Sequence, residues 1–146
     1  MTAIWIHEPT VVVDVANVMG ARADGWWRDR ASAALRLSLE VFDLAARGVP
    51  ADRMPPGLPA ADGAGPGWVL VLEGRARAAA ARIPADSPLV RVISAPGSAD
   101  DAIVAEVASR PDAGSCLVVT ADRELRRRCE ALGAAVAGPG WLLEML

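Results

Sequence analysis

The chain has 146 residues, of which 53% are hydrophobic, so it can bury a sizeable core within one domain. Its formal net charge of −3 argues against strong non-specific binding to nucleic acid, which usually requires a basic excess. No apolar run reaches the ~18 residues of a membrane-spanning helix, and residues 1–10 lack the pattern of a secretory signal, so we expect a cytoplasmic location.

Five short apolar segments predict strands. They span residues 11–13, 68–72, 89–93, 116–120 and, more weakly, 134–137. They are rich in β-branched residues and apolar nearly throughout, which is typical of strands buried on both faces of a parallel sheet.

Helical patterns alternate with these strands. Segment 28–47 repeats apolar residues at helical spacing, 74–82 is rich in alanine, and 100–110 and 123–132 also fit helices. This order predicts a single α/β domain over residues 1–146. We expect a three-layer α/β/α sandwich with a mainly parallel sheet of about five strands.

Residues 50–67 interrupt the alternation. They contain five prolines and four glycines and show no periodicity, so they predict a long surface loop inside the domain. Loops of this length serve either as flexible connections or as flaps that contact a substrate, and both interpretations stay open here.

Carboxylates follow the predicted strands at the points where the strands end. Asp14 ends the first strand, Asp100 and Asp101 follow the third after a turn, and Asp122 follows the fourth. Right-handed crossovers place strands one, two and three side by side in one direction across the sheet. The helix that begins at Asp100 must then cross back, so that strand four can lie on the other side of strand one. Ligand sites form outside the carboxyl ends of parallel strands near such a reversal. We therefore expect these four carboxylates to converge.

Four close carboxylates cannot all ionise without a counter-charge, because like charges raise each other's pKa. Mg²⁺ or Mn²⁺ would supply that charge, since the ligands are all oxygen and the chain has no His/Cys set for zinc. Capping is the simpler alternative: Ser98 with Asp101 fits a capping box, and Asp122 can cap its own helix. Asp14 fits that alternative less well, because a lone buried carboxylate is costly.

Three motifs carry a family resemblance. Residues 11–20 (VVVDVANVMG) resemble the opening motif of NYN domains in the PIN-like nuclease superfamily, and 98–103 (SADDAI) and 118–125 (VVTADREL) resemble its second and third acidic motifs. In order, they cover nearly the whole chain, and bacterial single-domain proteins are the most similar type. The resemblance implies the strand order 3-2-1-4-5 and a Mg²⁺- or Mn²⁺-dependent endoribonuclease, a hydrolase of RNA phosphodiester bonds.

The resemblance also implies roles for individual residues. It assigns catalytic roles to Asp14, Asn17, Asp100, Asp101 and Asp122, and we expect Asp14, Asp101 and Asp122 to be the metal ligands. Asn17 would support Asp14, although asparagine at this point also suits an ordinary turn.

The sequence departs from the family pattern at two positions. Arg126 stands where many relatives carry a further acid, and Glu73 stands where many carry aspartate. Two alternatives to the nuclease therefore stay open: a non-catalytic RNA- or protein-binding module, and a phosphohydrolase of small nucleotides.

Candidate substrate-binding residues lie near the same strand ends. Trp26 and Trp27, beside arginine, could stack on unpaired bases, anchor the first long helix or form a homodimer interface. Arg75 and Arg123 follow the second and fourth strands and could meet phosphate, although charged helix positions are usually just solvated. The expected partner is single-stranded RNA.

Several other enzyme classes are excluded. All fifteen basic residues are arginine, and without lysine the chain can form neither a Walker-type phosphate loop nor a phosphoacceptor receiver site. His7, the single histidine, precedes the first strand, away from the predicted strand ends, so we do not expect a histidine-based nuclease.

Overall fold

A computed structural model describes residues 8–58, 65–84 and 87–146 of the chain. His7 and positions 59–64 of the predicted loop lie outside the described residues. Within the described part, no helix is long and apolar enough to cross a membrane.

The centre of the molecule is a five-stranded sheet. All strand pairs are parallel, and the order is β3-β2-β1-β4-β5, which confirms the expected order and sheet type. The strands are β1 Thr10–Asp14, β2 Gly67–Leu72, β3 Val90–Ser94, β4 Cys116–Val119 and β5 Ala135–Ala137. Strands β1, β2 and β4 are buried throughout, as their apolar sequences predict.

The register aligns the carboxyl ends of the three central strands. Asp14 lies opposite Val71 of β2, and Val13 lies opposite Val119 of β4. The residues that follow, Glu73 after β2 and Thr120 after β4, therefore leave the sheet at the same edge as Asp14.

Helices cover both faces of the sheet, so the three-layer prediction is also confirmed. They are α1 Val15–Gly20, α2 Arg30–Arg47, α3 Ala99–Ala108, α4 Arg123–Ala131 and α5 Pro139–Leu143, with a 3₁₀-helix at Gly74–Arg82. Alternate strand residues feed two cores: Val11 and Val13 pack with α1, α2 and α5, whereas Val12 packs with α3 and α4.

Three helical segments differ from the sequence prediction. The short helices α1 and α5 were not predicted, and the helix predicted over 74–82 forms as a 3₁₀-helix. Its buried residues, Ala76 and Ala79, are three positions apart, which matches the three-residue repeat of a 3₁₀-helix.

The described start of the 50–67 loop is tied to the end of the chain. A 3₁₀ turn forms at Ala51–Arg53, and Arg53 makes an ion pair with Glu144 at 2.7 Å. The indole N–H of Trp141 donates to the carbonyl oxygen of Arg53 at 2.6 Å. This part of the loop is therefore fixed against α5.

Candidate active site

Asp14 is the most enclosed carboxylate at the edge of the sheet. It follows three buried valines and is only 4% exposed. The backbone N–H of Asn17 donates to its Oδ1 at 3.4 Å, so Asp14 caps α1, and the hydroxyl of Thr120 donates to its Oδ2 at 3.0 Å. Burial raises the pKa of Asp14 to about 6. The two hydrogen bonds lower this pKa, and Glu73 and Asp100 raise it.

A small hydrogen-bond network joins β1 to the turn after β4. Asn17 Oδ1 accepts the backbone N–H of Ala121 at 2.8 Å, and Thr120 Oγ1 accepts the backbone N–H of Asp122 at 3.2 Å. Asn17 therefore connects α1 with the β4–α4 turn. Thr120 was assigned no role from sequence, although the third motif includes its hydroxyl at the end of a strand.

Three further carboxylates lie at the same edge of the sheet as Asp14. Burial raises the pKa of Asp100, and repulsion from Asp122 and Glu73 raises it further. Glu73 accepts the backbone N–H of Ala99, at the start of α3, at 2.9 Å. Asp122 caps α4 by accepting the N–H of Leu125 at 3.0 Å. The acidic cluster, defined here as Asp14, Glu73, Asp100 and Asp122, thus draws on three strand ends and the first turn of α3.

Asp101 contacts a different partner from its neighbour Asp100. Its side chain is 78% exposed, and Oδ1 lies 3.0 Å from Nη2 of Arg128 on α4. Its backbone N–H faces the Oγ of Ser98 at 3.5 Å, a long capping contact. Of the two adjacent aspartates, Asp100 is the one that belongs to the acidic cluster.

The described residues contain no group of three acidic, histidine or cysteine side chains that could already hold a metal ion. The acidic cluster nevertheless offers only carboxylate oxygens, the ligand type that Mg²⁺ and Mn²⁺ prefer. Glu73 and Asp100 raise the pKa of Asp14, and Asp122 and Glu73 raise the pKa of Asp100, and a cation would offset this repulsion. The metal site therefore stays a prediction, and the donor chemistry fits it.

The candidate substrate-binding residues occupy different environments. Trp26 is partly buried against the core beside α1 and α2, whereas Trp27 is 57% exposed. Arg75 lines a surface cavity together with Trp27. Arg123 is exposed at the first position of α4, directly after Asp122.

The sheet order and the two helical layers define a PIN-like α/β fold. Comparison with protein-family models and with curated proteins finds no match for this chain. Among solved structures, the chain is similar to the W164L mutant of Rae1 (YacP) from Bacillus subtilis, with a TM-score of 0.64. The likeness covers 93% of this chain and 74% of Rae1 at 17% sequence identity, and it therefore shows the fold alone.

Proposed function

We propose that this protein is a Mg²⁺- or Mn²⁺-dependent endoribonuclease that hydrolyses phosphodiester bonds in single-stranded RNA. The observation that carries the proposal is the acidic cluster at the carboxyl edge of the sheet, where Asp14 and Asp100 have raised pKa values. The three sequence motifs that resemble NYN domains support the reaction class, and the PIN-like fold is compatible with it.

Asp14, Glu73 and Asp122 are the residues proposed to hold the cation. When bound, the ion supplies positive charge for the phosphate oxygens and the leaving oxygen of the reaction. Thr120 links Asp14 with Asp122. Its hydroxyl donates a hydrogen bond to the Asp14 carboxylate and accepts one from the backbone N–H of Asp122. Glu73 raises the pKa of Asp14 by repulsion, which supports the choice of Glu73 as the third ligand.

Asp100 is proposed to accept the proton of the attacking water. It is half-buried and thus reachable by solvent, whereas Asp14 is buried and fixed by two hydrogen bonds. As Asp100 takes that proton, the water oxygen bonds to phosphorus and the bond from phosphorus to the leaving ribose oxygen breaks. The leaving oxygen then takes up a proton from solvent. Asn17 and Thr120 act as positioning residues for Asp14.

The adjacent aspartates of α3 provide a matched test. Labelled single-stranded RNA is incubated with Mg²⁺ or Mn²⁺, or with EDTA, and cleavage rates are compared for wild type, Asp100→Asn and Asp101→Asn. We expect metal-dependent cleavage by wild type, a loss of about 10²-fold or more in Asp100→Asn, and most of the rate kept in Asp101→Asn. Cleavage that continues at the same rate in EDTA would contradict the assigned cluster, and so would an equal loss of cleavage rate in the two variants.

Two observations favour a second function, a non-catalytic RNA-binding module. Arg126 replaces the further acid of the family pattern, and no three donors are preassembled among the described residues. RNA binding by wild type with no cleavage in either metal would select this function over the nuclease.

A further inference from the structure

The Trp26–Trp27 pair is divided between the core and the surface. Gly25 adopts a left-handed φ of 76° and starts the 3₁₀ turn Trp26–Arg28. The two rings meet edge to face, with centroids 5.9 Å apart. Trp26 packs on the core, so it anchors the turn, and Trp27 remains largely exposed. An exposed indole packed against a partly buried neighbour offers a flat apolar platform.

Positive charge surrounds this platform. Arg28 lies 5.8 Å from the Trp27 ring centroid, and Arg30 and Arg75 line the same cavity of about 260 Å³. Among the described residues, none of these three arginines forms an ion pair. Asp29, the acid in this cavity, is engaged by the backbone N–H and hydroxyl of Ser32 at 3.0 and 2.7 Å. The patch is thus locally basic on a chain of net charge −3.

A second cavity connects this patch with the acidic cluster. It has a volume of about 380 Å³, and its lining includes Arg30, Glu73 and Ser98. Arg30 lines both cavities, and Glu73 belongs to the acidic cluster. A strand of nucleic acid could therefore run from the acidic cluster past Arg30 to Trp27.

We infer that Trp27, Arg28, Arg30 and Arg75 form a binding subsite for an unpaired RNA nucleotide that flanks the bond at the acidic cluster. The choice of RNA as occupant rests on the proposed function. A base has a flat face for the indole, and its phosphates match the unpaired guanidinium groups. The basic subsite draws the polyanion onto one side of an otherwise acidic molecule, which explains how RNA binding is compatible with the net charge.

Binding in the absence of metal tests the subsite separately from cleavage. The affinity of a fluorescein-labelled single-stranded RNA is measured by anisotropy in EDTA for wild type, Trp27→Ala, Trp27→Phe and Leu132→Ala. Stacking on one base is worth ~1–3 kcal/mol, so we expect Trp27→Ala to weaken binding about 5- to 150-fold. Trp27→Phe keeps most of the affinity. Leu132→Ala removes another exposed apolar side chain, 41% exposed at the far end of α4, and leaves binding unchanged.

Two further binding measurements distinguish recognition of the base from recognition of the phosphate. An abasic oligonucleotide of equal length is expected to bind wild type and Trp27→Ala equally, because it offers the indole no base. Arg75→Ala is expected to flatten the dependence of log affinity on log salt by about 0.7, the value for one lost phosphate contact on a single strand. The assignment would be overturned if Trp27→Ala weakened binding of the abasic strand as much as binding of normal RNA. An unchanged salt dependence of binding in Arg75→Ala would overturn it as well.

Failure of the subsite and failure of the nuclease give different results. If RNA binding depends on Trp27 but no cleavage is observed, the proposed nuclease activity is rejected and the proposed subsite is retained. If cleavage depends on metal but Trp27→Ala leaves RNA binding intact, the proposed subsite is rejected and the proposed nuclease activity is retained. If Trp27→Ala instead converts a dimer to a monomer in sedimentation without changing RNA affinity, the surface is a self-interface and the inference is overturned.

Discussion

Replacing Asp14 with asparagine is expected to stabilise the protein near neutral pH. Burial raises the pKa of this carboxyl from 3.8 to about 6. At ~1.4 kcal/mol for each tenfold change, the ionised carboxylate destabilises the fold by about 3 kcal/mol above pH 6. Asparagine has the same shape but exchanges one acceptor oxygen for a donor, and the weakened contact to Asn17 or Thr120 costs ~1 kcal/mol. The net gain is about 2 kcal/mol.

The sign of the effect depends on pH. Between 3.8 and about 6 the unfolded chain has released its Asp14 proton while the folded chain still holds it. Wild type therefore loses stability relative to Asp14→Asn as pH rises through this window, and the difference is constant above it. Urea unfolding followed by tryptophan fluorescence, in EDTA from pH 3.5 to 7.5, measures the difference, and titrating groups outside the acidic cluster cancel.

Parallel pH profiles for the two proteins would refute this reasoning, because they would mean that Asp14 ionises in the fold as easily as in water. The same series with Mg²⁺ gives a second check. A cation at a hundred times its dissociation constant stabilises wild type by ~2.7 kcal/mol and leaves Asp14→Asn unaffected, if Asp14 is a ligand.

Three smaller changes give further predictions. Thr120→Val removes the donor to Asp14 and the acceptor for Asp122, so it is expected to cost ~1–3 kcal/mol and to shift the pH window of Asp14 upward in the same urea series. Asn17→Ala leaves the N–H of Ala121 without its acceptor; we expect slower RNA cleavage with unchanged RNA affinity, measured side by side. Ile103→Ala opens a cavity under α3 and is expected to cost ~2–5 kcal/mol in urea unfolding, whereas Leu39→Ala, at a position 43% exposed, changes stability by less than ~0.5 kcal/mol.

The sheet could be predicted from sequence because its three central strands are buried on both faces. Their continuous apolar runs mark β1, β2 and β4 clearly, and the resemblance supplied the order. The same property concealed α1. The apolar run continues from β1 into Val15–Gly20 and is interrupted only by Asp14 and Asn17. Asp14 is both the last residue of the strand and the helix cap.

The acidic cluster was predictable in outline because parallel strands end at one edge of the sheet. The choice between Asp100 and Asp101 was not, since it depends on how α3 is rotated against α4 and on the contact of Asp101 with Arg128. Glu73 was noted at the end of its strand, but its contact with the start of α3 is a tertiary feature. The different environments of Trp26 and Trp27 likewise follow from the turn at Gly25.

The central position of β1 has a consequence during synthesis. Its partner β4 begins only at Cys116, about 100 residues after β1 ends at Asp14, so at ~5–20 residues per second the two strands are synthesised several seconds apart. Until then an apolar strand lacks one neighbour and exposes an edge that invites aggregation. Asp14 and Asp122 also stay apart during this time, so under the proposed function a nascent chain that has not yet reached β4 is expected to be inert towards RNA.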